Sequence, residues 1–433
     1  MKNKKAFTLV ELLAVIVILA VILIIAIPQI MNTIKETRLK TMEDSAKLIA
    51  TNAEKDYLAQ QTINSNYNAP SIPCSDVAKL SKDYASCTIT YNDSGVATVK
   101  LKGTNGGKFN GITCTGTKDN MKCKEKVVLP GYSDAVELLT TKYNNGTNSE
   151  GLIQTNGTEL RYQGSSPNNY TYFNCTDNSN PTSSTCESWR IVGLFDGRVK
   201  LVRASSIGNF SWDSSAEDVN AGWGVNQWGP SGTYEGADLM RELNTDYLNS
   251  TLSENASWYS GKNNNLTSGN FDKNYVLKDS AQKLIGDAIW NTGGVSRYHD
   301  QELTLSYAYA AERGTHGKMC TQGTTGCNDV VERTYTWTGK VGLIYTSDFG
   351  YASGNFMCAS NMESCFPNWM VNSGWTITPD GNTADYAFYV HSSNYIKSSY
   401  VYVDRAVKPS VYLIPDIQMK GSGTTADPYV FAE

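Results

Sequence analysis

Histidine is nearly missing. The 433 residues hold three, His299, His316 and His391. A nucleophile–histidine–carboxylate arrangement needs one of them beside a reactive hydroxyl or thiol. Gly229-Pro230-Ser231-Gly232 does not form a G-x-S-x-G elbow, and His299-Asp300 has no recognisable nucleophile near it in sequence. The chain is therefore not expected to be an enzyme. Charge is sparse too: Asp, Glu, Lys and Arg make up 18% of the residues, against roughly 25% in a typical soluble domain. The net charge of −5 supplies no generally basic surface for nucleic acid. There is no Cys-x-x-Cys, and His316 alone lies near a cysteine, which argues against zinc. Hydrophobic residues at 40% exclude a disordered chain. Asn, Ser, Thr, Gly and Tyr stand where charges are missing, a neutral polar surface common outside the cell.

What is present is cysteine, in close pairs: Cys74 and Cys87, Cys114 and Cys123, Cys175 and Cys186, Cys320 and Cys327, Cys358 and Cys365. An even set of close pairs reads as local disulfides formed in an oxidising compartment. Sequence does not fix connectivity; nearest-neighbour pairing is the working hypothesis.

The N-terminus is a basic leader, Met1 to Lys5, followed directly by an apolar run. Leu12 to Ile27, extended by Phe7 to Val10 and by Ile30 and Met31, reaches the roughly 20 residues needed to cross a bilayer. No A-x-A site follows it, so it does not read as an ordinary secretory signal. A plain signal anchor would explain the lysines and the run. It would not explain Glu11, a carboxylate that is costly to desolvate in lipid.

Lys4-Lys5-Ala6-Phe7-Thr8-Leu9-Val10-Glu11-Leu12-Leu13, followed by an apolar helix containing Pro28, resembles the N-terminus of type IV prepilins and related pseudopilins. The resemblance covers about the first 60 residues. It implies cleavage by a prepilin peptidase between Ala6 and Phe7, and N-methylation of Phe7. The family usually has glycine at the position of Ala6. It also implies that Glu11 of one subunit meets the Phe7 amine of a neighbour, and that Pro28 kinks the helix. The implied partners are other pilin subunits, the peptidase and the pilus assembly platform. The implied location is the cytoplasmic membrane as a precursor with its head outside, then the cell surface.

Beyond the membrane-length run, Ile30, Ile34, Met42, Ala46, Ile49, Ala53 and Tyr57 recur at three- or four-residue spacing, interrupted by Arg38. A single helix from Phe7 to about Gln61 is expected, roughly 80 Å long at 1.5 Å per residue. Ser86–Tyr91 and Val96–Leu101 flank a Gly-containing turn and read as a hairpin. Gly111–Cys114 and Met121–Lys126 read as a further strand pair. Residues 62–128 are thus expected to form an antiparallel sheet backing the helix, with residues 129–433 as a separate disulfide-rich domain.

In that remainder Trp189–Phe195, Asp196-Gly197 and Arg198–Arg203 give a strong hairpin signal. Gly236–Asn249 and Lys278–Asn291 read as helices. Lys340–Tyr345, Tyr386–Val390, Tyr400–Tyr402 and Ser410–Ile414 read as strands. The fold class expected overall is α+β. W-R-I-V-G-L-F-D-G-R-V-K-L-V-R, W-T-G-K-V-G-L-I-Y-T-S-D-F-G-Y-A, W-T-I-T-P and V-K-P-S-V-Y-L resemble, loosely, pieces of C-type-lectin-like or sulfatase-modifying-factor-like surface modules. Such a fold does not give an activity.

Two further sets of residues are candidates for binding. Asp380, Asn382 and Asp385 space oxygens along a loop that could hold calcium, as do Asp213 to Asp218, although neither follows the EF-hand pattern. Solvated turns are the plainer reading of both. Trp212, Trp223, Trp228 and Tyr234 lie in a Gly/Asn-rich stretch and could form a face for a glycan or a host or bacterial surface protein. Burial in the core is the plainer reading of large aromatics.

The function expected is a structural subunit of a type IV pilus-like extracellular filament whose enlarged head serves adhesion or surface interaction. The alternatives are a pseudopilin of a type II-like secretion or DNA-uptake machine, and a membrane-anchored surface enzyme. No cofactor is expected, calcium aside.

Overall fold

The computed structural model describes residues 9–64, 67, 72–74, 82–104, 107–126, 129–145, 151–157, 159–214, 224–232, 234–249, 276–296, 303–314, 335–371 and 374–432, with side chains from residue 33 onward except that of Pro73. The fold is α+β, and the chain divides into two compact units, Met1–Pro130 and Gly131–Glu433.

The first unit is one helix and one sheet. Helix α1, Leu9–Ile63, runs without a break through Pro28. Among the residues whose side chains are described, from residue 33 onward, no helix is long and apolar enough to cross a membrane; the side chains of the apolar run, Glu11 included, lie outside those described. Along the exposed half, Thr37, Thr41, Ser45, Thr51 and Thr62 donate their hydroxyls to the carbonyl four residues back. These residues, weak helix formers when they compete for the backbone, are here absorbed into the helix.

Met42, Ala46, Ile49, Ala50, Ala53 and Tyr57 form the buried stripe. The three alanines let the helix axis approach the sheet closely. Ile34, expected on the same stripe, is 53% exposed. The facing surface is a five-stranded antiparallel sheet of strands β1 (Ile72–Pro73), β2 (Tyr84–Tyr91), β3 (Ala97–Gly103), β4 (Ile112–Gly116) and β5 (Met121–Glu125), in that order. Strands β2 and β3 alternate correctly for one wet and one dry face: Cys87, Ile89, Val99 and Leu101 point to the helix.

Their turn is held by Asn92, whose Oδ1 accepts from the amides of Ser94 and Val96. Gly95 has φ +74°, and a Cβ there would collide with the ring of Tyr57. Arg38, which interrupts the apolar stripe, donates from Nε to the Lys108 carbonyl at 2.6 Å and lies 3.6 Å from Glu125. Glu54 accepts from the Ala97 amide and pairs with Lys118 at 2.7 Å.

Cys74 is bonded to Cys87 and Cys114 to Cys123, the latter pair directly opposite across β4 and β5. The first spans a sequence separation of 13. Replacing both Cys74 and Cys87 by serine is expected to cost about 3 kcal/mol through the loop-closure entropy restored to the unfolded chain. The check is the denaturation midpoint followed by far-ultraviolet circular dichroism; an unchanged midpoint would refute it.

The second unit is built on the Glu187–Phe195 and Arg198–Arg203 hairpin, turned by Asp196 and Gly197 at φ 49° and 70°. Positive φ at both positions matches the right-handed twist of the flanking strands. This hairpin is the middle of a seven-stranded antiparallel sheet. Ser410–Tyr412 and Val341–Gly342 continue it on one side; Glu159–Tyr162, Leu152–Thr155 and Tyr170–Phe173 lie on the other. A second sheet has the order Gly374–Pro379, Tyr386–Val390, Ile396–Tyr400. The terminal strands of the unit close on its beginning, because Gln418–Lys420 pairs with Ser133–Asp134 and with Val430–Ala432.

Two helix expectations change here. Gly236–Asn249 is two short helices, Asp238–Asn244 and Asp246–Asn249, interrupted at Thr245. Lys278–Asn291 is one turn, Asp279–Gln282, followed by a strand, Ala288–Asn291, paired with Thr336–Gly339. Along that strand Ala288 and Trp290 are buried and Ile289 is exposed, a period of two rather than of 3.6. Lys340–Tyr345 is a strand only over Val341–Gly342; Leu343 to Tyr345 lead instead into the helix Thr346–Tyr351. Tyr400 ends a strand, and Tyr402 lies beyond it.

Candidate functional site

At the N-terminus, Ala6 and Phe7 lie outside the described residues. Glu11 and Pro28 lie within the α1 backbone, and their side chains are outside those described. Past residue 33 the helix is fixed to its own sheet by the Arg38 and Glu54 contacts above.

In the second unit, four separate stretches singled out in the sequence converge on one cleft of about 700 Å³, its open mouth included. Trp189–Arg203 contributes Arg190, the Trp337–Ala352 stretch contributes Ile344, Trp375–Pro379 contributes Trp375, and Val407–Leu413 contributes Lys408. Trp369 and Met370 complete much of the apolar wall. Neither tryptophan offers a free indole N–H: Trp369 donates to the Tyr162 carbonyl at 2.7 Å and Trp375 to the Phe210 carbonyl at 2.9 Å.

Arg190 is held in place. Its Nε donates to Asn169 Oδ1 at 2.6 Å, and its guanidinium lies 3.7 Å from the Tyr170 ring centre and 5.0 Å from that of Trp369. Burial lowers the Arg190 guanidinium to about 10. Lys408 donates to the Val371 carbonyl at 3.3 Å, and burial, followed by the nearby Arg190, lowers its ammonium to about 8. Arg203, also on the wall, is neutralised by Glu187 at 2.9 Å.

Beside the cleft, under the central hairpin, is a buried ionic centre. Asp348 starts the helix Thr346–Tyr351, and its Oδ2 accepts from the Tyr345 amide and from Lys200 Nζ at 2.6 Å. Its Oδ1 accepts from Arg161 Nη1 at 2.6 Å. Arg161 lies between the rings of Phe195 and Tyr351, at 4.4 and 4.5 Å. Burial works to raise the Asp348 carboxyl, but Lys200 and Arg161 outweigh it and hold the group at about 2. Glu312, fully buried, accepts from the Ser347 amide at 3.0 Å and the Thr378 hydroxyl at 2.8 Å, and burial pushes its carboxyl up. These charges are saturated by neighbours and read as structural. Several cleft and ionic-centre residues lie within the stretches singled out in the sequence, but none was given a binding or structural role from sequence. The available signal was a cation, Arg190, Lys200 or Lys408, inside an otherwise apolar strand or strand edge.

The other sequence candidates are distributed elsewhere. Trp212 and Trp228 are core residues, 0% and 1% exposed, packed edge to face at 5.1 Å, so they form no binding face. Trp223 lies outside the described residues. Tyr234 donates its hydroxyl to Asp213 Oδ2 at 3.1 Å. Asp213 is buried and pushed up to about 6, first by burial and then by Asp238.

At the other calcium candidate, Asp380 Oδ1 accepts from the Asn382 amide, and the Asp385 carbonyl accepts from the Val401 amide. The carbonyls of Asp380, Thr383 and Tyr386 converge on Asn226 Nδ2 at 2.8, 2.8 and 2.6 Å. His391 stacks on Tyr395, and its Nδ1 accepts from the Ser393 amide; His299 and His316 lie outside the described residues.

Cys175 is bonded to Cys186 and Cys358 to Cys365, while Cys320 and Cys327 lie outside the described residues. Two exposed aromatics flank the Cys358–Cys365 loop: Phe356 is 85% and Phe366 66% exposed. Asn355 fixes the loop by donating from Nδ2 to the carbonyls of Ser364 and Phe366.

Comparison with known proteins finds one feature, at the N-terminus. Residues 1–27 match the prokaryotic N-terminal methylation motif. No curated protein and no solved structure matches the chain.

Proposed function

We propose that this type IV prepilin-like protein is a structural subunit of a pilus-like extracellular filament, with an enlarged head that mediates surface contact. The observation that carries the reading is the methylation motif running directly into a continuous helix, Leu9–Ile63, whose second half packs on an antiparallel sheet. Membrane storage, removal of Met1 to Ala6, methylation of Phe7 and entry of the helix into a bundle follow in that order.

The partners are a prepilin peptidase, an assembly platform and neighbouring subunits. Cleavage uncovers a positive amine on Phe7. In the bundle Glu11 of one subunit pairs with that amine on the next, so that each charge has a partner where water is scarce. The pair also fixes register, as buried polar groups do in helical assemblies. The head acts by binding, without catalysis or a required cofactor. The exposed Phe356 and Phe366, flanking the Cys358–Cys365 disulfide, offer apolar side chains to a partner and support a contact role.

Mass spectrometry of sheared surface filaments tests this. The expected result is the chain in the sheared fraction, beginning with N-methylated Phe7. A processed chain confined to the membrane would support the secretion or DNA-uptake pseudopilin reading instead. A functional mature chain retaining Met1 to Ala6 would remove the assembly mechanism.

A further inference from the structure

We propose that the cleft between Arg190 and Lys408 binds a carboxylate carried on an apolar body. The proposal stands on the unit Gly131–Glu433 alone and does not depend on filament assembly. Three observations support it.

The first is uncompensated charge. Arg190 and Lys408 line the same cleft, Arg190 close enough to disfavour the charged form of Lys408; both are half-buried, and neither has a carboxylate partner among the described residues. Burying cations costs stability unless an anion offsets it. The fully buried cations of this unit obey that rule: Arg161 and Lys200 share Asp348, and Arg203 has Glu187. Arg190 and Lys408 together fall in a cleft, where perturbed titratable groups mark ligand sites.

The second is what the wall lacks. Among the described residues, no lining side chain is an acid, an amide or a hydroxyl, and both indole N–H groups are taken by backbone carbonyls. The polar chemistry offered to a ligand is therefore cationic. A sugar needs amide and carboxylate side chains to read its hydroxyls, and the described wall has none. The ligand's polar part is an anion, and the rest is apolar, to lie along Trp369, Met370 and Ile344. An aromatic or aliphatic acid has this chemistry, as does the C-terminal carboxylate of a peptide ending in an apolar residue.

The third is preorganisation. Asn169 and Tyr170 fix the Arg190 guanidinium before any ligand arrives, which lowers the ordering cost of binding.

The test is calorimetric titration of the full-length chain in detergent with 3-phenylpropionate, with its uncharged carboxamide, and with N-acetyl-L-phenylalanine. Both acids are expected to bind, and the carboxamide to bind at least about tenfold more weakly, the loss of one charge-assisted hydrogen bond. Tighter binding of the N-acetyl amino acid would assign the site to peptide C-termini; tighter binding of phenylpropionate would assign it to free acids.

Lys408→Met keeps the apolar stem and removes the charge. It is expected to weaken the acids at least about tenfold while holding or raising the melting temperature, because an unpaired cation is gone. A purely structural lysine would give the opposite on both counts. Arg190→Gln is a second variant with the same expected loss of binding. Equal binding of acid and carboxamide, unchanged acid binding in Lys408→Met, or no binding of either acid at millimolar concentration would overturn the proposal.

Discussion

Asp348→Ala is expected to destabilise the unit Gly131–Glu433 by about 3–5 kcal/mol, the cost of breaking a buried ion pair by removing one partner. Arg161 and Lys200, each within 2.6 Å of that carboxylate and both buried, would be left facing one another across an empty site. Arg161 would keep Glu159 at 3.1 Å; no other ion pair holds Lys200 among the described residues. Against a total stability of about 5–15 kcal/mol for a domain, the loss is a large share of the whole.

All nine tryptophans lie in this unit's sequence, so tryptophan fluorescence in a denaturant titration reports it selectively. The effect is also pH-dependent with a definite sign. A carboxyl held at about 2 in the folded state, against about 3.9 when unfolded, contributes stability that is fully present above pH 4 and is lost as pH falls toward 2. The wild-type chain should therefore lose stability in that window, and the variant should lose less of it. Equal midpoints for the two proteins at neutral pH would show that the centre contributes little.

Glu11→Ala is the second large effect, and it rests on the filament reading. The variant is expected to insert in the membrane and to be cleaved before Phe7, yet to fall in sheared filaments by a factor of a hundred or more. That factor follows from about 3–5 kcal/mol for an amine left buried without its carboxylate, at 1.4 kcal/mol per tenfold. Quantitative mass spectrometry of the membrane and filament fractions separates failed assembly from failed processing, because both report the N-terminus. Glu11→Gln, which keeps the shape and a hydrogen-bonding side chain, should fall between the two. Incorporation of Glu11→Ala at the wild-type level would end the pairing argument.

The cleft and the ionic centre have different standing in the chain's economy of charge. In the centre, cations and carboxylates balance, and removing a member costs stability. In the cleft they do not balance, and removing Lys408 should cost binding instead. This contrast gives the two sites separable signatures: one moves a denaturation midpoint, the other an affinity.

Short-range patterns in this sequence sufficed for the elements whose causes are local. The apolar run, the three- and four-residue stripe from Met42 to Tyr57 and the absence of proline between Gln29 and Ile63 specify one long helix. Asp196-Gly197 specifies the central hairpin, because two adjacent residues must adopt positive φ there and these two can. What the tertiary structure alone decided depends on distant neighbours. Ala288–Asn291 became a strand because Thr336–Gly339 was there to pair with it. Trp212 and Trp228 went inward because a core received them. Asp348 found Arg161 and Lys200 across separations of 187 and 148 residues. Arg190 and Lys408 came to share a cleft without an acid between them. Backbone preference is set within a few residues, whereas burial and charge partnership are set by whatever the fold brings alongside.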